Sequence, residues 1–181
     1  MMFIDSDIAF TAQDVLNLAA LAAPDSEYAI VCGAYPKKRI AWDQLWRAIE
    51  NGLVNSADDL QRYAGDFALN TTAGELPDRG YPLRVREAAT GFMMIRREVF
   101  ERMREAFPDL ACKIMGGGSI TAFFDSRIDP DTNELLPEDY SFCRRASALG
   151  FQTWICPWIR LQHIGTYVFD GDLLSVLGVQ E

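Results

Sequence analysis

Residues 138–169 read EDYSFCRRASALGFQTWICPWIRLQHIGTYVF, and this stretch decides the predicted fold. Pro137 stands just before this stretch, Glu138 and Asp139 begin it, and Gly150 follows the polar and apolar residues after them, which is the order expected of helix termini. Two apolar stretches, 151–156 and 158–163, come next and predict strands. A helix that leads directly into strands favours an α/β layered fold over a bundle or a sandwich.

The same alternation extends through the rest of the chain. Thr11 and Ser56 each have an aspartate three residues later, a pattern typical of helix N-caps, and the first of these helices should stop at Pro24. Further segments are predicted from their apolar spacing: helices over 42–50 and 99–107, strands over 1–4, 28–34, 87–95 (broken by Gly91) and 120–124, a basic turn at 35–39 and a long loop over 67–86. We therefore predict a single domain spanning residues 1–181.

Charge and cysteine usage limit the function classes. The 17 basic and 26 acidic residues give a net charge of −9, which is poorly suited to a phosphate backbone, so we expect no nucleic-acid partner. The four cysteines are scattered and form no CxxC pair, which favours reduced thiols. No apolar run is long enough for a transmembrane segment and the start does not resemble a signal peptide, so a cytoplasmic location is expected.

Two segments carry candidate metal ligands. Asp5 and Asp7 follow an apolar strand, and ligands in open α/β sheets gather beyond the carboxyl ends of strands. His163, the single histidine, stands at the end of a predicted strand just before Gly165. A D-x-D triplet also occurs by chance, and a lone histidine beside apolar residues is often a core residue. For each segment, metal binding and a purely structural role therefore both stay open.

Glu138 and Asp139 form an acidic pair at a helix start. Such residues complement the helix dipole and need no further role. One of them could instead remove a proton from an acceptor hydroxyl. The glycines 116–118 are interpreted as a turn, since no Lys-Ser/Thr follows them as a phosphate loop requires.

Together these segments stand in an order that resembles glycosyltransferases of the GT-A fold, particularly bacterial and viral members of the family 2-like group. The resemblance rests on FIDSD at 3–7, on ATGFMMIRREVF at 89–100 and on the stretch 138–169. It implies an incomplete GT-A type α/β fold, a mixed sheet flanked by helices. The implied reaction transfers a sugar from a nucleotide-diphosphate sugar to a glycan, lipid or protein hydroxyl, with metal dependence and inversion.

The resemblance also implies a role for each matching residue. Asp7 would bind Mn²⁺ or Mg²⁺, Asp5 would reach the ribose or the metal, and His163 would close the metal site. Asp139 would be the catalytic base, with Glu138 its close rival. Gly91 would let the backbone approach the sugar, and Lys37 would line the donor or acceptor region, as would Lys38, although a solvated turn explains both lysines equally well.

One departure from the family concerns the region before Asp5. In the family, the D-x-D strand follows a sizeable nucleoside-binding half, whereas only four residues precede Asp5 here. We therefore expect the base-recognition element to be missing and an open sheet edge to be covered by a homo-oligomer or a partner chain. The alternatives are a non-catalytic glycosyltransferase-like remnant or subunit that needs a partner, and a nucleotide-sugar hydrolase.

Overall fold

The computed structural model describes residues 1–67, 70–71 and 80–178. Helix starts match their local sequence: Thr11 accepts from the backbone N–H of Asp14, whose side chain accepts from Thr11 in return, and Ser56 caps the third helix. Both predicted caps are confirmed. The described helices are α1 Ala12–Leu21, α2 Trp42–Glu50, α3 Ala57–Ala64, α4 Arg97–Ala106, α5 Glu138–Ala148 and α6 Leu173–Leu177, with a 3-10 turn at Pro108–Leu110.

The strands form one main sheet and several small ones. In chain order they are β1 Met2–Ile4, β2 Ile8–Ala9, β3 Ile30–Ala34, β4 Pro36–Ile40, β5 Gly65–Phe67, β6 Asn70–Thr71, β7 Leu83–Glu87, β8 Phe92–Ile95, β9 Ala111–Lys113, β10 Ser119–Thr121, β11 Arg127–Ile128, β12 Leu135–Leu136, β13 Thr153–Arg160, β14 Gln162–Ile164 and β15 Val168–Phe169.

The main sheet has six strands in the order β1-β8-β3-β13-β7-β6, and β3 with β13 is its parallel pair. A three-stranded antiparallel sheet, β15-β14-β2, continues from the end of β13. The pairs β4 with β5, β9 with β10 and β11 with β12 complete the described ladders. The chain is thus an α/β protein with a mixed sheet and helices, as the sequence predicted at this level.

Two apolar clusters pack on opposite faces of the main sheet. Successive residues of β3 divide between them, because side chains alternate along a strand: Ile30 and Cys32 join one cluster and Val31 the other. The first cluster receives Phe142 from α5, and the second receives Leu18 from α1. Helices therefore cover both faces and hold the strand ends in fixed positions.

Several segments differ from their sequence-based predictions. The stretch 87–95 is broken at Gly91 as predicted, but Glu87 is the last residue of β7, and the strand after the break, β8, begins at Phe92. The predicted basic turn at 35–39 is largely β4, which pairs with β5. The two strands predicted over 151–163 are one long strand, β13, followed by β14. Part of the predicted loop over 67–86 is β7, and its residues 68–69 and 72–79 lie outside the described residues.

Two features are relevant to the predicted partner chain, namely the edge strand β1 and the exposed apolar face of α2. β1 forms an edge of the main sheet and pairs with β8 on one side. On α2, Leu45 is buried, whereas Trp42 and Trp46 are 66% and 61% exposed, so the apolar stripe of this helix is only partly covered. Self-association or a partner chain stays a prediction. Among the described residues, no helix combines the length and apolar character needed to cross a membrane.

Candidate functional site

The Asp5-Ser6-Asp7 segment is a turn between the edge strand β1 and the short strand β2. The backbone N–H of Asp5 donates to the carbonyl of Gly91 at 2.9 Å, and the carbonyl of Asp5 accepts from Ile8. The carbonyl of Asp7 accepts from the N–H of Ile164 at 2.7 Å. These bonds tie the turn to the main sheet on one side and to β14 on the other.

Pairing between β2 and β14 brings His163 to Asp7. His163 lies opposite Ile8 in the ladder, and its Nε2 is 3.5 Å from Oδ2 of Asp7. The other ring nitrogen, Nδ1, lies 2.9 Å from the carbonyl of Pro36. Because a carbonyl can only accept, Nδ1 carries the hydrogen, and in the neutral ring Nε2 keeps its lone pair towards Asp7. Two residues from opposite ends of the chain thus meet.

A lysine from β4 joins this pair. Nζ of Lys38 lies 2.5 Å from Oδ2 of Asp7, and the hydrogen bond from Lys38 lowers the pKa of the Asp7 carboxyl below its ordinary value. Asp7 is therefore ionised at neutral pH. The neighbouring Lys37 pairs instead with Asp66 on β5, at 3.5 Å. The strand β4 thus directs one lysine to Asp7 and holds the other against β5.

Tyr35 links the Asp5 side of the site to the His163 side. Its hydroxyl accepts from the N–H of Gly91 at 3.0 Å, and its ring meets that of His163 edge-on at 5.5 Å between centroids. Burial raises the pKa of the Tyr35 hydroxyl, and the negative charges of Asp5 and Asp139 raise it further. Tyr35 is consequently protonated at neutral pH and can both accept from Gly91 and donate.

Gly91 stands where the chain is most crowded. A Cβ at this position would lie 2.4 Å from the Tyr35 hydroxyl oxygen and 2.8 Å from Oδ2 of Asp5. Only glycine fits there without a shift of its neighbours. The backbone of Gly91 therefore lies directly against two polar groups of the site, a close approach that the absence of a Cβ allows.

The acidic pair at the start of α5 divides into two different environments. Glu138 is exposed, whereas Asp139 is partly buried. Burial raises the pKa of the Asp139 carboxyl, and the charges of Glu138 and Asp5 also raise it, while the bond from the Tyr140 N–H acts in the opposite direction. This favours Asp139 over Glu138 as a proton acceptor, since a raised pKa brings a carboxyl closer to the working range of a general base.

The helix α5 holds Asp139 in a fixed relation to Gly91. Phe142 is fully buried and stacks on Phe124 at 4.5 Å, and the thiol of Cys143 donates to the carbonyl of Ala88 at 3.7 Å. Ala88 belongs to the short connection that also carries Gly91. The helix α5 is therefore anchored, through its second turn, to the same connection that carries the glycine.

A cavity of about 290 Å³ opens beside these residues. Its walls include Tyr35, Lys37, Lys38, Ala89 and His163, which come from the end of β3, from β4, from the connection before β8 and from β14. This volume lies at the lower end of the range for small-molecule pockets. Its position beyond the carboxyl end of β3 agrees with where open α/β sheets bind ligands.

The side chains of Asp5, Asp7 and His163 differ in how well they are placed to bind a metal ion. Asp7 and His163 present an oxygen and a nitrogen to one point, and the Nδ1 bond to Pro36 is the kind of second contact that orients a ligating histidine. Asp5 faces Gly91 and Tyr35 instead. Over residues 1–67, 70–71 and 80–178, no group of three or more His, Cys, Asp or Glu side chains is close enough to hold a metal. A two-residue metal contact fits; the predicted three-residue set stays a prediction.

Comparisons of the chain with protein-family models, with curated proteins and with solved structures found no match. Function must therefore be argued from this site. Sequence reasoning missed Tyr35 as a site residue and did not connect Lys38 with Asp7. The signal available for both was their place directly after the apolar run 28–34, where a strand end meets ligands.

Proposed function

We propose that this chain transfers a sugar from a nucleotide-diphosphate sugar to a hydroxyl acceptor. The observation that carries the proposal is the meeting of Asp7, Lys38 and His163 beside a cavity, with Asp139 within electrostatic reach of Asp5 and Tyr35. Asp7, Lys38 and His163 come from three separate segments of the chain, the turn after β1, β4 and β14, so their meeting is a property of the fold and not of a local motif.

The positive side of the site suits a diphosphate. Lys38 supplies an ammonium group, and Lys37 lines the same cavity although it pairs with Asp66. A lysine acts towards phosphate as a compact point charge with three donors. The missing side chain at Gly91 makes room for the Tyr35 hydroxyl and the Asp5 carboxylate, whose oxygens can bond to the hydroxyls of a sugar.

Asp7 and His163 would hold a divalent cation, and one imidazole beside a carboxylate suits Mn²⁺ as well as Mg²⁺. Such a cation, when bound, acts as a Lewis acid that neutralises charge developing on a leaving diphosphate. Lys38 bonds to the same Asp7 oxygen, so it would have to turn towards the phosphates when that oxygen takes a metal.

Asp139 accepts the proton of the incoming hydroxyl in this scheme. Its partly buried carboxyl is shielded from water, and the nearby charges of Glu138 and Asp5 make it more basic. Tyr35 stays protonated and so does not compete for that proton. Asp139 therefore performs the proton transfer, and Glu138 keeps a supporting electrostatic role.

The test is release of nucleotide from a panel of UDP- and GDP-sugars with Mn²⁺, with and without added saccharide acceptors, together with detection of the glycosylated product. Asp139→Asn should reduce transfer by about two orders of magnitude or more while donor binding is largely kept, because the loss is confined to proton abstraction. The exposed Asp25→Asn is the matched control and should retain full activity.

The outcomes separate the alternatives. Acceptor-dependent product that disappears in Asp139→Asn supports transfer. Nucleotide release that is independent of acceptor identifies a hydrolase. Absence of turnover, combined with unchanged Mn²⁺ binding in Asp7→Asn, would remove both the activity and the metal assignment and leave a non-catalytic protein.

A further inference from the structure

A second cavity, of about 440 Å³, lies away from the candidate site. Its walls come from β2 and the residues after it, from α3, from the end of β13, from β14 and from the turn before α6. The volume is within the range of small-molecule pockets. The side chains on which the proposal below depends are Phe10, Gln61, Arg62, Arg160, Gln162 and Asp170.

The two cavities lie on opposite faces of the small sheet β15-β14-β2. Gln162 lines the second cavity, and the next residue, His163, lines the first. Successive side chains of a strand point to opposite faces, so the alternation along β14 separates the two cavities. A ligand in the second cavity therefore does not occupy the place beside Asp7 and Lys38.

The second cavity is built on rigid supports. Asp172 is 4% exposed; it pairs with Arg160, caps α6 through the Leu174 N–H at 3.1 Å and donates its own N–H to the carbonyl of Arg62 at 2.9 Å. Behind these residues, Gly65 and Gly171 pack backbone against backbone, since a Cβ on Gly171 would lie 2.8 Å from the Cα of Gly65. The backbone on this side of the cavity is consequently held in place without a ligand, which reduces the entropic cost of binding.

The donors and acceptors of this cavity are mostly planar groups. Gln162 donates to Asp170 at 2.9 Å, which orients both side chains, and its carbonyl oxygen keeps further acceptor capacity. Gln61 is exposed on α3 and presents a second amide. Amides, carboxylates and guanidinium groups each offer two parallel positions, and two adjacent hydroxyls of a sugar ring match such pairs.

The charges that line the second cavity and the aromatic ring of Phe10 limit the kinds of ligand that could bind there. The lining contains three carboxylates, Asp58, Asp170 and Asp172, against the guanidinium groups of Arg62 and Arg160. A phosphate or other anion would therefore meet net negative charge. Phe10 is 44% exposed and is supported by Phe92 at 5.4 Å between ring centroids, so it offers an apolar face to the C–H groups of a sugar.

We propose that the second cavity binds a neutral saccharide. If the proposed transfer reaction is correct, this saccharide is part of the acceptor or of the growing product, an assignment that rests on the proposed function. The binding itself depends only on the walls described above. A neutral polyhydroxyl ligand satisfies the planar groups, adds no charge to an acidic cavity and covers the exposed face of Phe10.

The test is a ¹H–¹⁵N titration of the full chain, without metal or nucleotide sugar, using glucose, galactose, N-acetylglucosamine and cellobiose, with inorganic phosphate as the anionic comparison. A small neutral ligand should bind with a Kd on the order of 1 mM. It should shift the side-chain amides of Gln61 and Gln162 and the backbone N–H of Gly171. Gln61→Ala should weaken binding about fivefold, the loss of one hydrogen bond.

Phe10→Ala should weaken binding further. Gln13→Ala is the control for Gln61→Ala, because it removes a glutamine side chain from an exposed position on α1, and it should leave binding unchanged. Because Gln61 is exposed, its variant remains informative even if Phe10→Ala does not fold. Three results would each overturn the proposal: no chemical-shift change at the cavity with any sugar, sugar binding by Gln61→Ala and Phe10→Ala that equals that of the wild type, or binding of phosphate in place of sugars. Saccharide binding without any transfer activity would support this cavity and count only against the proposed reaction.

Discussion

Gly91→Ala is the substitution whose effect can be worked out most directly from the structure. The added Cβ would lie 2.4 Å from the hydroxyl oxygen and 2.6 Å from Cζ of Tyr35, and 2.8 Å from Oδ2 of Asp5. Contacts below 3.0 Å force a movement. The Tyr35 ring is held by its contact with His163 and by the hydrogen bond from the Gly91 N–H, so it does not yield freely, whereas the Asp5 carboxylate is the end of a flexible side chain and can turn away.

The expected magnitude combines two terms. Inserting a methyl group into a packed position costs about 1–3 kcal/mol. Displacing Tyr35 also removes its hydrogen bond with the Gly91 N–H, which costs about 1 kcal/mol. We expect the free energy of unfolding to fall by about 2–4 kcal/mol, equivalent to a decrease in Tm of roughly 4–16 °C for a chain of this size.

Urea denaturation followed by circular dichroism would measure this change. Gly80→Ala is the matched control, because no heavy atom lies within 4 Å of the Cβ position there, and its effect should stay within about 0.5 kcal/mol. In a Tyr35→Phe background, where the nearest clashing oxygen is gone, Gly91→Ala should cost about 1 kcal/mol less than alone. Equal effects of the two alanine variants, or no coupling to Tyr35, would refute the crowding argument.

Three further changes test other parts of the molecule. Thr11→Ala should lower the free energy of unfolding by about 1 kcal/mol in urea denaturation, since it removes one half of the capping box with Asp14. Hydrogen bonds from Asn55 and Ser56 lower the pKa of Asp59 in the folded state. The ionised carboxylate therefore stabilises the fold fully above the unfolded-state pKa, and this stabilisation is lost as the pH falls through the folded-state pKa. Asp59→Asn should accordingly flatten the acid side of the plot of unfolding free energy against pH. Burial raises the pKa of Asp139 in the folded state, so the fold loses stability as the pH rises from the unfolded-state pKa through the folded-state pKa. Asp139→Asn removes this loss and should raise the midpoint of urea denaturation at pH 7 relative to wild type.

Local side-chain chemistry explains which elements the sequence could predict. The caps at Thr11 and Ser56 involve residues three positions apart, and their helices begin where predicted. The strand β4 could not be found in this way. Its residues are mostly basic and resemble a turn, and they extend because β5, far along the chain, supplies the pairing partner. Long-range pairing of this kind leaves no signal in the segment itself.

The same distinction applies to the candidate site. Each of Asp5, Asp7, His163 and Asp139 could be proposed from its place at an element end. Their relative positions depend on pairings that the sequence does not show, above all β2 with β14, which sets Asp7 beside His163. That pairing also explains why Asp5 separates from Asp7: the turn after β1 directs Asp5 to Gly91, while Asp7 follows β14.

The electrostatics of the site divides its carboxylates into two kinds. At one end, the hydrogen bond from Lys38 lowers the pKa of Asp7, so that carboxylate keeps its charge. At the other end, burial and the neighbouring charges of Glu138 and Asp5 raise the pKa of Asp139, so that carboxyl takes up a proton more readily. Environments that drive two carboxyl groups in opposite directions suit a division of work between binding positive charge and accepting a proton. The same fold therefore gives two chemically identical side chains different protonation behaviour, which matches the two roles that the proposed sugar transfer would require.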